Sequence, residues 1–582
     1  MKKFLLSLLT VLIIIAVSLW LWITPEKPPE YQAFVDGRVL TMNQINQVAE
    51  AVLLENDRIL AVGTNSEIRK LMPTNTWVHN LDGRTLMPGI IDAHGHFPGS
   101  GFFAVGANLN SPPIGMVKSL SELVKLMNEQ AANTAIGEWV VGMGYDDTQL
   151  LEHRHPTRAE LDAITTEHPL FVLHISGHMG VGNSKAMEIM GIDANTPNPA
   201  GGVIVKDANG ELTGLLEETA MMPMFTAATD FGTGEVLKIV QRAVADYISK
   251  GVTTAQNGAA DRKTINGMYY ASRLNLVPLR LEVWPLYSDM SEAILSGEFE
   301  ANDFRSDRFR IGALKIIADG SIQGYTGFLR EPYHVQPSKS HGEANASDDA
   351  DSGSNGGYVG YPTLSQEELT ELVREHFAIG TRLAIHGNGD AAIDYILNAV
   401  ASAQADYPND DARTIIIHSQ MARPDQLDRM HELGVTPSFF SAHTYYWGDR
   451  HRDIFMGPER AARMSPARTA GEKGVPYTIH LDTPVVPMDP MLLVWSAVNR
   501  ESTSGKTIGA YEQISAMQAL RATTIDAAWQ IFREDEIGSI EVGKLADLVI
   551  LDGNPLGAKD KIRDIQVDQT FIGGVSVYTR TQ

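Results

Sequence analysis

Residues 87–535 alternate segments of helical periodicity with short apolar segments that are typical of β-strands. In one such unit, Ser365 and Glu368 form a capping-box pattern at the start of a predicted helix, and Gly380 ends that helix. An apolar strand follows and ends at His386. Repeated helix–strand units of this kind predict a parallel sheet, and the length of the segment suits a closed eight-stranded barrel.

The two ends of the chain have a different pattern, in which short strands are joined by turn signals. Residues 31–86 contain several short apolar runs, and residues 536–582 contain the apolar run 546–551 and the hairpin signal Gly573-Gly574. Neither set of strands is large enough to be stable alone. We therefore expect the two ends to pair into one β-structure beside the barrel.

Composition narrows the range of functions. The chain has 582 residues and a formal net charge of −24, with no strong basic run. This charge argues against a nucleic-acid partner and favours a small neutral or cationic molecule as the substrate. The absence of cysteine excludes disulfides, thiolate nucleophiles and thiolate zinc sites. The sequence leaves open whether the chain forms a homo-oligomer.

The segment 1–30 is distinct from the rest. Two lysines precede an apolar stretch from Phe4 to Ile23, which at about 1.5 Å per residue can span roughly 30 Å of hydrocarbon. The pattern predicts a transmembrane helix that anchors the rest of the chain outside the cytoplasm, in the periplasm or the extracellular space. A cleaved signal peptide, and hence a secreted protein, is the alternative. We favour the membrane anchor because apolar residues continue beyond the candidate cleavage site at residues 16–18.

Residues 338–357 are rich in Ser, Asp, Asn, Ala and Gly. A segment of this composition has too little apolar surface to fold by itself. It predicts a flexible insertion on the barrel face that carries the active site, without chemistry of its own. His341, within this segment, is interpreted as a solvated residue and not as a metal ligand.

The first predicted barrel strand ends in His94 and His96. Side chains alternate faces along a strand, so both imidazoles point to the same side and can bind one cation. Four later polar residues also directly follow apolar runs: Lys315, His386, His418 and Asp482. Each of the six has an ordinary structural explanation when taken singly. Catalytic residues of such barrels collect at the carboxyl ends of the strands, however, so the six together predict one shared site.

Five motifs extend this pattern: Leu-Met-Pro-Gly-Ile-Ile-Asp-Ala-His-Gly-His, Ile-Ser-Gly-His-Met-Gly-Val-Gly-Asn-Ser, Lys-Ile-Ile-Ala-Asp-Gly-Ser, His-Gly-Asn-Gly-Asp and Ile-Gly-Ser-Ile-Glu-Val-Gly-Lys-Leu-Ala-Asp-Leu. With them the chain closely resembles the amidohydrolase superfamily, in particular its amidohydrolase-3 branch, which includes N-substituted formamide deformylase-like and YtcJ-like proteins. The resemblance covers nearly all of residues 31–582. It implies a distorted (β/α)8 TIM barrel over residues 87–535, with a composite β-sandwich built from residues 31–86 and 536–582.

The resemblance also implies roles for the six polar residues. In chain order they match two ligands of strand one, a bridging lysine of strand four, one ligand each of strands five and six, and the aspartate of strand eight: His94, His96, Lys315, His386, His418 and Asp482. An ammonium group cannot bind a cation, so Lys315 must lose its proton or be carboxylated. The carboxylated form would support two divalent metal ions, and otherwise we expect one. Zinc is the expected metal.

Two places depart from the family pattern. The common glutamate before the strand-six histidine is Ile417, and the Ala-Ile pair after the strand-five histidine is replaced by Gly387 and Asn388. Neither change replaces a residue that matches a metal ligand of the family. The support of His418 and the shape of the pocket are left undetermined, so the identity of the substrate does not transfer.

The expected reaction is hydrolysis of a non-peptide carbon–nitrogen bond in an amide, formamide or cyclic amide. A zinc-like cation lowers the pKa of bound water from 15.7 to about 7 and so provides hydroxide at neutral pH. Asp482 is expected to move the proton to the leaving nitrogen, and His178 is a candidate substrate contact. Glu218 and Asp319 are explained at least equally well as solvated or capping carboxylates. The alternatives are hydrolysis of another bond, such as an ester, and an inactive metal-binding scaffold.

Overall fold

The computed structural model of the chain describes residues 26–337 and 356–581. At its centre, two parallel sheets form a barrel. In order around the barrel, the strands are Ile90–Ile91, Val252–Ala260, Arg280–Pro285, Phe309–Ile311 together with Leu314–Ile317 at the fourth position, Leu383–Gly387, Ile415–His418, Thr436–Phe439 and Thr478–Ile479.

Backbone contacts join the two sheets on both sides of the barrel. A parallel bridge between Leu286 and Lys315 connects the third strand to the fourth. The Asp482 amide donates a hydrogen bond to the His94 carbonyl at 3.3 Å and so connects the end of the eighth strand to the first. Because the strands are parallel, the residues that follow them meet at one mouth of the barrel.

Neighbouring residues of the barrel strands face opposite sides of the wall. Ile316 and Ile416 belong to the main apolar core, which includes the surrounding helices. Ala384 and Ile417 belong to a separate buried cluster on the other side. Side chains alternate along a strand, so Lys315, next to Ile316, faces the barrel interior.

Helices connect the strands and cover the outside of the barrel. The helix Gln366–Ala378 begins at Ser365, whose hydroxyl accepts a hydrogen bond from the Glu368 amide while the Glu368 carboxylate accepts one from the Ser365 amide. This confirms the predicted capping box. The α-helices of the described residues are Asn65–Leu71, Leu120–Ala132, Arg158–Asp162, Ser184–Met190, Met222–Ala228, Thr233–Ile248, Arg262–Arg273, Tyr287–Leu295, Gln366–Ala378, Asp390–Asp406, Pro424–Leu433, His443–Tyr446, Gly448–Arg450, Gly457–Arg463, Ala467–Glu472, Pro490–Asn499, Ala516–Ala522 and Ile525–Gln530.

A separate mixed sheet is inserted between the first and second barrel strands. Its strands, in spatial order, are Gly202–Lys206, Leu212–Glu218, Met179–Gly182, Leu170–His174, Val140–Tyr145 and Ala107–Asn108. Leu123, Val140 and Leu170 contribute to a core of its own. The sequence did not separate this sheet from the barrel, because its parallel strands and the helix between them have the same pattern as a barrel unit.

The two ends of the chain form two further sheets. One has the order Arg58–Gly63, Ala51–Glu55, Tyr31–Val35, Trp77–Asn80, and the other has the order Val575–Thr579, Val567–Ile572, Leu548–Leu551, Thr85–Pro88, Arg38–Leu40, Val48–Ala49. The strand Thr85–Pro88 pairs antiparallel with Leu548–Leu551, so both ends of the chain share one sheet. Phe34 and Phe571 pack in a common core that joins the two sheets.

The predicted transmembrane helix, and with it the membrane partner and the membrane-anchored location, must be corrected. Within residues 26–337 and 356–581, no helix is long and apolar enough to cross a bilayer. The longest described helix, Asp390–Asp406, has 17 residues and carries three aspartates, whereas a span needs about 20 apolar residues. The apolar stretch from Phe4 to Ile23 lies outside the described residues, as does the predicted insertion 338–357 apart from its last two residues.

A buried ion pair connects the barrel to the sheet formed by the two ends. Arg280, at the start of the third barrel strand, donates from Nε to Asp547 Oδ2 at 2.6 Å and from Nη2 to Asp547 Oδ1 at 2.9 Å. Both side chains are buried. A two-point arrangement of this kind is among the stronger charge-assisted contacts.

We expect Asp547→Ala to lower the free energy of unfolding by about 3–5 kcal/mol, because it leaves the Arg280 guanidinium buried without its partner. The control is Asp230→Ala, which removes the exposed ion pair with Lys263 and should leave the free energy of unfolding close to that of the wild type. Urea denaturation measures both. Equal losses would show that the buried pair does not anchor the sheet.

Candidate metal centre

Three of the six predicted residues converge on the carboxylate of a fourth, Asp482, at the barrel mouth. Asp482 Oδ1 lies 3.4 Å from His94 Nε2 and 3.3 Å from His96 Nε2, and Asp482 Oδ2 lies 3.9 Å from His418 Nε2. Asp482 Oδ1 is buried, and within the described residues it makes no hydrogen bond of acceptable geometry. Nitrogen and oxygen atoms therefore face one another at close range without a proton properly placed between them.

This spacing fits a cation. Two ligand atoms that each lie about 2.0–2.1 Å from a tetrahedral zinc ion are about 3.3–3.4 Å apart. The contacts of Asp482 with His94 and His96 match that separation. The ligand atoms of His94, His418 and Asp482 also lie within 4.8 Å of one another.

The backbone is strained at two of these residues. His418 has a φ of +69° and Asp482 a φ of +57°, both in the left-handed region. This region is unfavourable for residues other than glycine, so the surrounding fold must hold the two side chains in place.

Gln256, on the second barrel strand, fixes the tautomer of His94. Gln256 Oε1 accepts a hydrogen bond from the Gly95 amide at 3.0 Å and lies 2.9 Å from His94 Nδ1. The amide oxygen can only accept, so His94 Nδ1 carries the proton. His94 Nε2 is then left with its lone pair, on the side of Asp482, as a metal ligand requires.

Lys315 is buried with its Nζ 3.2 Å from His94 Nε2. Burial lowers the pKa of Lys315 from 10.5 to about 8, although the charge of Asp482 acts in the opposite direction. The lowered pKa increases the fraction of Lys315 that is present as the neutral amine at neutral pH. Both metal binding and carboxylation require that form.

His386 lies beside this group. Its ring is 4.6 Å from the ring of His418, centre to centre. Its Nδ1 lies 3.1 Å from Asp319 Oδ1, and its Nε2 lies 3.3 Å from the side-chain nitrogen of Asn388. Asn388, one of the residues that depart from the family pattern, therefore covers the His386 nitrogen that would bind a metal ion.

Asp319 is a fully buried organising residue and not a solvated or capping carboxylate. Its two oxygens accept hydrogen bonds from the amides of Asn388, Gly389 and Phe328. Burial raises the pKa of Asp319 to about 7, against the effect of these three amides. Its contact with His386 Nδ1 orients that ring.

His178 and Glu218 reach the site from the inserted sheet. His178 Nδ1 lies 2.8 Å from Glu218 Oε2, and the His178 ring lies 5.0 Å from the ring of His386. Burial lowers the pKa of His178, but the nearby carboxylates, Glu218 first, outweigh it, and the pKa is raised overall. His178 therefore places a hydrogen-bond donor at the edge of the site.

The electrostatics favour a metal-binding protonation state. Burial lowers the pKa values of His94, His386 and His418 well below the ordinary value, which keeps these imidazoles neutral. Burial would raise the pKa of Asp482, but the three neighbouring imidazoles hold it well below its usual range. Neutral imidazoles beside an ionised carboxylate are the forms that bind divalent ions.

A second buried group of acidic and histidine side chains has a structural explanation. Asp146, Asp147 and His174 place their ligand atoms within 4.8 Å of one another. Asp146, however, already accepts hydrogen bonds from Trp447 Nε1 at 3.1 Å and Arg450 Nη1 at 2.8 Å. These contacts tie the inserted sheet to the segment that follows the seventh barrel strand.

Comparisons with known proteins identify the family to which the chain belongs. The sequence profile of the Amidohydrolase family matches residues 78–578, so the chain belongs to the amidohydrolase family. N-substituted formamide deformylase from Arthrobacter pascens is 29% identical over 94% of this chain and 98% of its own length. The putative amidohydrolase YtcJ of Bacillus subtilis (strain 168) is 26% identical over 94% of this chain and 99% of its own length.

A solved structure shares the fold. The crystal structure of an uncharacterized metal-dependent hydrolase from Pyrococcus horikoshii covers 91% of this chain and 99% of its own length, with a TM-score of 0.70 and 23% identity. The predicted resemblance to the amidohydrolase-3 branch is confirmed. So is the prediction of a metal-dependent hydrolase of non-peptide carbon–nitrogen bonds.

We expect Gln256→Leu to weaken Zn²⁺ binding about 10- to 100-fold, because His94 Nδ1 loses the acceptor that fixes its tautomer. Gln256→Glu keeps an acceptor oxygen at the same place and should bind Zn²⁺ much more tightly than Gln256→Leu. Competition with a chromophoric chelator measures both affinities. Wild-type affinity in Gln256→Leu would contradict the role of Gln256.

Proposed function

We propose that this chain hydrolyses the carbon–nitrogen bond of a small amide, N-substituted formamides included, with a zinc ion at the Asp482 site. The observation that carries the proposal is the buried Asp482 Oδ1, which faces His94 Nε2 and His96 Nε2 at the spacing of tetrahedral ligands without a hydrogen bond of acceptable geometry. The first relative named above is a deformylase of N-substituted formamides, which supports this substrate class.

The residues proposed to hold the metal are His94, His96, His418 and Asp482, with Lys315 and His386 beside them. One ion suits the converging atoms of the first four. A second ion would need Lys315 in its carboxylated, anionic form as a bridge toward His386. When bound, the cation would polarise the substrate carbonyl and lower the pKa of a water molecule at the site.

Asp482 is proposed as the proton carrier. Its ionised carboxylate accepts a proton from the attacking water as the carbon–oxygen bond forms, and then gives that proton to the leaving nitrogen as the carbon–nitrogen bond breaks. The products are an amine and a carboxylic acid, which is formic acid when the substrate is a formamide. The low pKa of Asp482 keeps the carboxylate ionised at neutral pH, which is the form that can accept a proton.

His178 is proposed to bind the substrate. Because its Nδ1 contacts Glu218, the other ring nitrogen, Nε2, is the atom proposed to donate a hydrogen bond to a substrate oxygen. The raised pKa of His178 favours the protonated ring, which is the better donor. The net charge of −24 makes a neutral or cationic substrate more favourable than an anionic one.

We expect Asp482→Asn to lower kcat at least 10²-fold on the best substrate of a panel of formamides, other small amides and esters, because the amide side chain cannot carry the proton. Asp230→Asn, on the surface, is the control and should retain wild-type kcat. Initial rates with Zn²⁺-loaded protein measure both. Equal rates in wild type and Asp482→Asn would refute the role of Asp482, and turnover of esters alone would refute the proposed substrate class.

A further inference from the structure

His418 faces Asp482 through its Nε2, which lies 3.9 Å from Asp482 Oδ2. The preceding residue, Ile417, is apolar and packs in a buried cluster with Trp284 and Ala384, so its side chain offers His418 no hydrogen bond. The tautomer of His418 must nevertheless be fixed, because only a ring that carries its proton on Nδ1 leaves Nε2 free as a metal ligand. Another group must therefore receive the Nδ1 proton.

That group is His480, two residues before Asp482. Its Nε2 lies 3.1 Å from His418 Nδ1, and its Nδ1 lies 3.0 Å from Ser438 Oγ on the neighbouring strand. An imidazole differs from a carboxylate because it can donate or accept at either nitrogen. His480 can therefore hold the proton of His418 on Nδ1 only if another group holds the proton of His480 on its own Nδ1.

A chain of buried polar side chains continues from His480. The Thr478 hydroxyl oxygen lies 2.8 Å from Ser438 Oγ and 2.6 Å from Gln530 Oε1. Gln530 Nε2 donates to the carbonyl of Ala93 at 2.9 Å, beside the metal-site residue His94. Five side chains of this chain are at most 4% exposed: His418, His480, Ser438, Thr478 and Gln530.

The last contact of the chain, between Gln530 and the Ala93 carbonyl, determines which atom donates in every other hydrogen bond of the chain. The Ala93 carbonyl can only accept, so the Gln530 amide nitrogen faces it and Gln530 Oε1 faces Thr478. Thr478 has one hydroxyl proton, and it goes to Gln530 Oε1. The geometry also allows Thr478 Oγ1 to donate to Ser438 Oγ, but its single proton is already used by Gln530 Oε1, so the contact between Thr478 and Ser438 must be made by the proton of Ser438.

The same reasoning continues to the metal site. Ser438 has given its proton to Thr478, so its oxygen accepts from His480 Nδ1. His480 Nε2 then has a lone pair and accepts from His418 Nδ1. His418 Nε2 is left with its lone pair, on the side of Asp482.

We propose that the chain His480–Ser438–Thr478–Gln530 is a positioning relay that fixes the metal-binding tautomer of His418. The inference rests on the metal site of the proposed function. None of the four relay residues is a proposed metal ligand, and each acts through its neighbour. The relay ends on a backbone carbonyl because only a group that cannot donate gives the whole chain one direction.

The test is Thr478→Val, a change of nearly the same shape that removes the hydroxyl. Ser438 would then be free to turn its proton toward His480, which would reverse the chain and place a proton on His418 Nε2. We expect Zn²⁺ affinity, measured by chelator competition, to fall about 10- to 100-fold. Thr478→Ser keeps the hydroxyl and should restore most of the affinity, a rescue that a purely structural role of the methyl group would not produce.

Thr436→Val is the matched control. Thr436 is buried on the same strand as Ser438, and its hydroxyl makes no hydrogen bond in the part of the chain that the structure describes. Its replacement should leave Zn²⁺ affinity within a factor of about three of wild type, well below the effect expected for relay residues. Ser438→Ala is a second relay variant, and its Zn²⁺ affinity should fall as that of Thr478→Val does. It replaces Thr478→Val in the test if that variant does not fold.

The possible outcomes distinguish a failure of the relay from a failure of the proposed function on which the relay rests. Wild-type Zn²⁺ affinity in a folded Thr478→Val or Ser438→Ala variant, no weaker than in Thr436→Val, would overturn the relay and leave the metal site intact. Failure of the wild-type protein to bind Zn²⁺ would instead overturn the proposed function, and the relay with it. Loss in the relay variants, rescue by Thr478→Ser and retention in Thr436→Val would support the relay.

Discussion

The convergence of three imidazoles on the carboxylate of Asp482 is the interaction on which the rest of the site depends. It exists because the closed barrel brings the end of the eighth strand against the first, where the Asp482 amide donates to the His94 carbonyl. The geometry places His94 and His96 within 3.4 Å of one carboxylate oxygen. Bare lone pairs at this distance repel one another, and a cation between them would remove that repulsion.

The surrounding structure fixes the proton position of three of the site histidines. Gln256 orients His94, Asp319 orients His386, and the relay that begins at His480 orients His418. These partners come from different barrel strands and from the helix Ile525–Gln530, so the site depends on the whole closed barrel. The inserted sheet adds His178 and Glu218 at the mouth, where they can affect the choice of substrate.

The sequence predicted the barrel units, the pairing of the two ends and the six polar positions because these depend on local periodicity and on short motifs. It did not separate the inserted sheet, whose parallel strands repeat the barrel pattern. It also missed Gln256, Asp319 and His480 as supporting residues, since their partners are distant in the sequence. His480 alone had a local signal: it lies two residues before Asp482 at the end of the same strand, as His94 and His96 do on theirs.

The central claim is that the Asp482 site holds a divalent metal ion. The most direct measurement is elemental analysis of the purified full-length chain after incubation with Zn²⁺ and removal of the excess. The account predicts at least one equivalent of zinc in the wild-type protein and a marked loss in a His94→Ala, His418→Ala double variant that remains folded. Near-zero zinc in the wild type, or equal zinc in the two proteins, would contradict it.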